Sequence, residues 1–363
     1  MKHVPLIVAA FRDPFVVSGW DTTQWDLVLC QLRQSNMIAS MHASLNLHGL
    51  LIAVPEQARR HLEWAALLSE QHLRSVRYEV NAIRLALEHI KVPLVLLKGA
   101  AYVMADLPRF AGRIFSDIDI LIPKDAILDI ESSLMIAGWH STLNDPYDQH
   151  YYRVWMHELP PMTHVTRGTV IDVHHAIVPI TSRMHPDSAK LLANAQPIPG
   201  EQLVCTLSGV DMVLHSAAHL FCNGEFENGF RDLLDLHNLL CHYAGLSGFW
   251  DEIVERAVEL QLSRPMFYAL RYVTLIFETP VPFEVMKKAD AGRPNAPLLK
   301  VMDSLFERAL LPHHQSCKDC FTAPAIFALY LRGNWLRMPP FLLARHLFQK
   351  AFISKRNATP ERI

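Results

Sequence analysis

Phe115-Ser116-Asp117-Ile118-Asp119-Ile120-Leu121-Ile122 is the stretch that decides how this chain folds. Ile118, Ile120, Leu121 and Ile122 are the apolar, mostly β-branched residues of a buried strand, yet two carboxylates interrupt them two positions apart. A strand alternates its side chains between faces, so Asp117 and Asp119 project from the same one. Two anions held a few ångströms apart raise one pKa or cost stability unless a cation sits between them. An oxygen-only pair of this kind suits a hard divalent ion, magnesium or manganese.

Working outward, Val170-Ile171-Asp172-Val173 repeats the anomaly: an acid set among β-branched residues where a plain core strand would carry no charge. The strand bearing Asp172 is expected beside the strand bearing Asp119. Three such carboxylates can hold two metals about 3.5–4 Å apart, one polarising an attacking hydroxyl and the other the phosphate and its leaving group. Asp117, Asp119 and Asp172 are therefore the candidate catalytic and metal-binding residues, and the chemistry they suit is phosphoryl or nucleotidyl transfer. Leu97-Lys98-Gly99-Ala100-Ala101 supplies a cradle for a triphosphate: a strand end, a glycine that lets the backbone approach closely, then a helix start. Lys98, Gly99, Ala100, Arg113 and Ser116 are the candidate substrate-binding residues.

The surrounding pattern changes twice along the chain. Leu62, Ala66, Leu73, Val76, Val80, Ile83, Leu87 and Ile90 recur at the steps of an amphipathic helix, bracketed by Pro55 and Pro93, and 25–51 is helix-like too. From Pro93 the texture becomes strand, turn, strand, helix: Leu94-Val95-Leu96-Leu97 stopped by Lys98-Gly99, then 118–122, then a helix over 126–137. Short strands are expected over 151–157, 162–167 and 169–173, with turns at Pro160-Pro161 and Arg167-Gly168. Helices return over 211–221, 230–243, 249–260 and 265–277, with more beyond Pro297, and a polar tail follows Lys355. The expectation is an α+β fold in three parts: an N-terminal helical region (1–91), a small mixed-sheet core (92–180) and a C-terminal helical domain (181–363).

Composition narrows the function classes. Half of the residues are hydrophobic, enough for a sizeable core, and 34 Lys and Arg against 36 Asp and Glu leave a net charge of −2. That balance gives no electrostatic footprint for long nucleic acid or an anionic membrane. The six cysteines are sparse and mostly flanked by apolar residues, which suits reduced thiols. Arg12 and Asp13 cut short the only apolar run near the N-terminus, and no apolar run is long enough to span a bilayer. The expectation is a cytoplasmic protein that does not engage the membrane. No internal repeat of a solenoid period is present.

Leu97-Lys98-Gly99-Ala100-Ala101, Arg113, Ser116-Asp117-Ile118-Asp119-Ile120-Leu121 and Ile171-Asp172-Val173-His174 together resemble the uncharacterised bacterial nucleotidyltransferase family, a branch of the DNA polymerase beta-like superfamily. The resemblance spans roughly residues 20 to 260 and includes Phe230-Arg231-Asp232-Leu233-Leu234-Asp235-Leu236. It implies that Asp117 and Asp119 ligate the catalytic metals, that Asp172 completes the site and helps activate the nucleophile, and that Gly99 contacts the triphosphate. The substrates it implies are a nucleoside triphosphate such as ATP and an acceptor hydroxyl or phosphate on a protein, a small molecule or an RNA end. This sequence departs from the wider superfamily at Ala100, where Ser or Gly is usual, and in the eighteen positions between Gly99 and Asp117. Ser116, Lys98 or Arg113 would replace the missing hydroxyl.

Other features have plainer readings. His174 follows the third carboxylate on the same face and is a candidate to orient Asp172 or to touch a phosphate, while His175 follows it on the other face. His215, His219 and Cys222 share a helical face at a spacing that can bind zinc, but Ser216 stands where a metalloprotease has glutamate, so core packing is the better reading. His313-His314 with Cys317 and Cys320 could hold a structural zinc, with an inert loop the simpler reading. Arg231 and Asp235 read as an i, i+4 ion pair. The rivals to an enzyme of nucleotidyl transfer are a nucleotide-binding scaffold that keeps the acidic triad without catalysis, and a metal-dependent phosphohydrolase.

Overall fold

The short apolar run that ends at Lys98 forms an interior strand of a seven-stranded mixed sheet, next to the central one. In spatial order the strands are β3 (Trp139–Ser141), β4 (Met162–His164), β5 (Val170–His174), β2 (Asp117–Leu121), β1 (Leu94–Leu96), β7 (Val204–Thr206) and β6 (Gln196–Pro197). The structure is a computed structural model and describes residues 4–348 except 144 and 202; the polar tail after Lys355 lies outside the described residues. β1 is buried along its whole length, as a strand without any polar side chain must be when helices cover both sides of the sheet. It runs antiparallel to β2 and parallel to β7, and β2 runs parallel to β5. The α+β class and its mixed sheet follow from this arrangement.

Helices occupy the sequence on either side. Pro55 precedes Glu56–Leu87, whose Leu62, Val76, Val80, Ile83 and Leu87 are buried on one stripe; a 3-10 turn and Lys91 in the left-handed region then end it before Pro93. The stretch 25–51 divides into Thr22–Gln34, opened by a reciprocal Asp21–Gln24 capping box, and Ile38–Leu47. Gly209–Cys222, Gly229–Tyr243, Phe249–Glu259 and Ser263–Phe277 stand where the helical periods put them. Tyr268, Tyr272, Phe221 and Phe306 pack ring to ring among them, and one contiguous apolar core runs from Ile7 to Leu329. Among the described residues no helix is long and apolar enough to cross a membrane.

The sequence reading needs correction in two places. The expected strand over 151–157 does not form: Pro146–His150 runs on into a wider π-type turn, Tyr151–Trp155, and Met156 and His157 follow in a bend. Asp145 caps that start by accepting from the Tyr147 amide, with Pro146 at the first helical position. Tyr151, Tyr152 and Trp155 then form an aromatic face against Met338, Leu342 and Leu343, so tertiary packing overrides their β propensity. Three strands also went unexpected: β3, and the β6–β7 pair that extends the sheet beyond residue 180.

Candidate active site

β2 and β5 lie side by side in parallel with Asp119 directly opposite Asp172, and Asp117 sits two residues back on the same face. One carboxylate oxygen from each of the three falls within 4.8 Å of the others. Asp119 is 3% exposed, so this convergence occurs at the edge of the core and not in open solvent.

The three acids are not equivalent. Asp119 Oδ1 accepts from Lys98 Nζ and from His174 Nε2, each at 2.9 Å. Burial alone would favour a protonated Asp119, but Lys98 and His174 outweigh it and hold the carboxyl far below the usual carboxylate range. Asp172 goes the other way: burial first, then the negative charges of Asp119 and Glu158, push it up to about 7. Its Oδ1 is buried with no hydrogen-bond partner. Burial opposes charge on Lys98 and His174 as well, but Asp119 beside Lys98, and Glu158 with Asp119 on either side of His174, raise both above their ordinary values. A part-buried acid with one unpartnered oxygen, facing a second, ionised acid, is a place where positive charge is favoured.

The turn at Lys98-Gly99 touches this site. Lys98 adopts a left-handed backbone, φ +47°, a conformation that costs a non-glycine residue roughly 1–2 kcal/mol, and it aims the ammonium back at Asp119. Gly99 packs under the Phe115 ring so closely that a β-carbon there would lie 2.6 Å from the ring. Ser116 Oγ donates to Asp117 Oδ1 at 3.3 Å. Ala100 is buried in the helix Lys98–Met104, facing the core. Arg113 is buried and bound to Asp235, with its Nε and Nη2 each 2.9 Å from Oδ2, and Asp232 lies 3.7 Å away. The i, i+4 pair expected between Arg231 and Asp235 therefore does not form, because Arg231 pairs with its neighbour Asp232 instead.

Two cavities meet at this acidic wall. One, of about 370 Å³, is lined by Asp172, Glu158, His174, Tyr152 and Arg337 among others. The second, of about 250 Å³, is lined by Gly99, Ser116, Arg113, Arg231 and Asn228. Lys98, Asp117 and Asp119 line both, whereas Asp172 lines only the first and Gly99 only the second.

A family model described as uncharacterised nucleotidyltransferase matches residues 21–278. The chain belongs to that family. The matched stretch contains the whole acidic triad, the Lys98-Gly99 turn and the Arg113–Asp235 pair, and it ends one residue past the helix Ser263–Phe277. No curated protein and no solved structure matches the chain. Membership makes the protein a transferase that handles a nucleotide.

Around this nucleotidyltransferase's acidic wall, Glu158 and Asn223 carried no sequence signal, and His219 was read only as part of a packed helix face. Glu158 reaches His174 Nδ1 at 3.1 Å, and its backbone pairs with His174 in an isolated bridge. His174 therefore serves Asp119 and Glu158, and not Asp172. His219 and Asn223 line both cavities from the end of the helix Gly209–Cys222. Among the described residues the only groups able to hold a metal are the acidic triad and His157–Glu158–His174, so neither the His215–His219–Cys222 face nor the Cys317–Cys320 loop gathers one.

Proposed function

We propose that the protein transfers a nucleoside monophosphate from a nucleoside triphosphate to a hydroxyl or phosphate of an acceptor, with pyrophosphate leaving, in the two-metal manner of the polymerase beta-like enzymes. The observation that carries this is the register of Asp119 opposite Asp172 with Asp117 on the same face, at a wall shared by two cavities.

The donor set fits magnesium or manganese: three carboxylates, no nitrogen or sulfur, and one buried oxygen, Asp172 Oδ1, without a partner. When bound, the ions supply positive charge to the triphosphate and to the attacking oxygen. The chain's own residues do the rest. Because both bonds from Lys98 and His174 fall on Oδ1 of Asp119, they fix that carboxylate and leave its other oxygen outside them. The cavity bearing Gly99, Ser116 and Arg231 is assigned to the triphosphate, with Lys98 turning to it from Asp119. The cavity bearing Asp172 is assigned to the acceptor, whose hydroxyl proton passes to that carboxylate as the new oxygen–phosphorus bond forms and the bond to pyrophosphate breaks. Residues 92–180 would be the catalytic core between helical flanks 1–91 and 181–363. A cytoplasmic setting accords with six free cysteines.

The test is incubation of wild type and Asp119→Ala with labelled triphosphates, magnesium or manganese, and host lysate. Label transferred to an acceptor by the wild type alone is the expected result. A wild type that transfers label from no triphosphate, or an Asp119→Ala protein as active as wild type, overturns the proposal.

A further inference from the structure

His157, Glu158 and His174 bring a second set of ligand-type atoms together beside the acidic triad, all within 4.8 Å of one another. The two sets differ in chemistry: the triad is all oxygen, whereas this one has two imidazoles and one carboxylate. The chain positions it by leaving the π-type turn at Trp155 and crossing β5, where the His175 amide donates to the His157 carbonyl at 2.9 Å and Glu158 bridges to His174. The His157 and His174 rings then lie 5.2 Å apart, centroid to centroid.

Two observations ask for a cation there. His157 Nδ1 is buried and finds no hydrogen-bond partner, a cost for a polar atom removed from water that a bound ion would relieve. The adjoining cavity is also lined by five carboxyl side chains, Asp117, Asp119, Asp172, Glu158 and Glu225, against two strong bases, Lys98 and Arg337, an excess of acidic groups. His174 faces the site with Nδ1, where an ion would replace the proton now shared with Glu158. Its Nε2 donates to Asp119 at 2.9 Å, which turns Nδ1 toward Glu158. A histidine whose distal nitrogen donates to a carboxylate while the other nitrogen binds metal is the recurrent way proteins fix such a ligand.

We infer that His157, Glu158 and His174 form a second metal site, for a transition ion of the zinc class, with a fourth position open to the larger cavity. Two histidines and one glutamate with an open position is the donor set of catalytic zinc centres, and imidazole favours such ions over magnesium. The site stands independently of nucleotidyl transfer, although the His174–Asp119 bond joins it to the acidic triad.

The test is Co²⁺ titration of the metal-free full-length protein under saturating Mg²⁺, followed by the visible d–d band and by equilibrium dialysis. The expected result is one equivalent of Co²⁺ that Mg²⁺ does not displace, retained in Asp172→Asn. Loss of a ligand in His157→Ala should weaken it by more than the roughly 10–100-fold typical of an outer-shell change. Should His157→Ala fail to fold, Glu158→Gln serves as the second variant, and pulsed EPR of the Cu²⁺-loaded wild type reads imidazole nitrogen couplings directly. Co²⁺ displaced by Mg²⁺, Co²⁺ lost in Asp172→Asn but kept in a folded His157 or Glu158 variant, or a Cu²⁺ spectrum without nitrogen couplings overturns the inference. None of these outcomes depends on whether label moves from a triphosphate.

Discussion

Replacing Asp172 with Asn should make the metal-free protein more stable while abolishing its activity. The reason is the placement of the carboxyl, half-buried, facing ionised Asp119, with its buried Oδ1 unbonded. Its pKa stands at about 7 against an ordinary 3.8. A carboxyl that binds its proton more tightly in the folded state costs no stability below the unfolded value. The cost grows between the two values and is complete above about pH 7. At about 1.36 kcal/mol per pH unit the whole gap is worth ~4 kcal/mol, and local relaxation and solvent access reduce a realistic gain to ~2 kcal/mol. Asparagine keeps the shape and carries no charge, so at pH 8 the melting temperature of Asp172→Asn should exceed that of wild type by roughly 2–4 °C. The excess should shrink as the pH falls from 8 to 6, because the wild-type carboxyl then takes up its proton. Differential scanning calorimetry in chelator at pH 6, 7 and 8 reads this out, with a magnesium or manganese arm in which only wild type gains stability from the ion. A variant no more stable than wild type at pH 8, or a gain that does not change with pH, refutes the electrostatic account of the triad.

The same linkage makes Mn²⁺ binding to the wild type strengthen from pH 6 to pH 7, by about fivefold, since the ion must displace the Asp172 proton. Calorimetric titration should show this rise flattening above pH 7, and an affinity independent of pH speaks against it. In Gly99→Ala the new β-carbon meets the Phe115 ring, and overpacking of that kind costs about 1–3 kcal/mol. Urea unfolding should register the loss, and the double variant with Phe115→Leu should recover most of it. Arg113→Met leaves buried Asp235 without its guanidinium, a loss of roughly 3–5 kcal/mol that Asp235→Asn in the same chain should partly restore. Additive losses in that double variant, measured by the same unfolding assay, would show that the pair is not the source of the effect.

The centre of the sheet and its acids were legible because they violate a strong pattern. A strand of Ile and Leu has no reason to carry Asp117 and Asp119, and the same holds for Asp172 between Ile171 and Val173, so each charge advertised itself against its own neighbours. The long helix Glu56–Leu87 was legible for the opposite reason, a period sustained between two prolines. What stayed hidden depends on residues far apart in the chain. β7 is three residues long, too short to show a period, and becomes a strand only by pairing with β1. The aromatic segment 151–157 has strand-like composition, and its helical turns are decided by packing on Met338 and Leu342. Arg113 meets Asp235 across 122 positions of sequence, so the local spacing of Arg231 and Asp235 pointed to the wrong partner. Glu158 was invisible as a site residue because its importance rests wholly on meeting His174 from the neighbouring chain segment.

The central claim is that the Asp117–Asp119–Asp172 wall moves a nucleoside monophosphate. Parallel incubations with triphosphate labelled at the α-phosphate and at the γ-phosphate test it most directly. The account predicts α-label on the acceptor and γ-label only in released pyrophosphate, with neither moving in Asp119→Ala. γ-Label on the acceptor, or α-label released only as free mononucleotide, would contradict it.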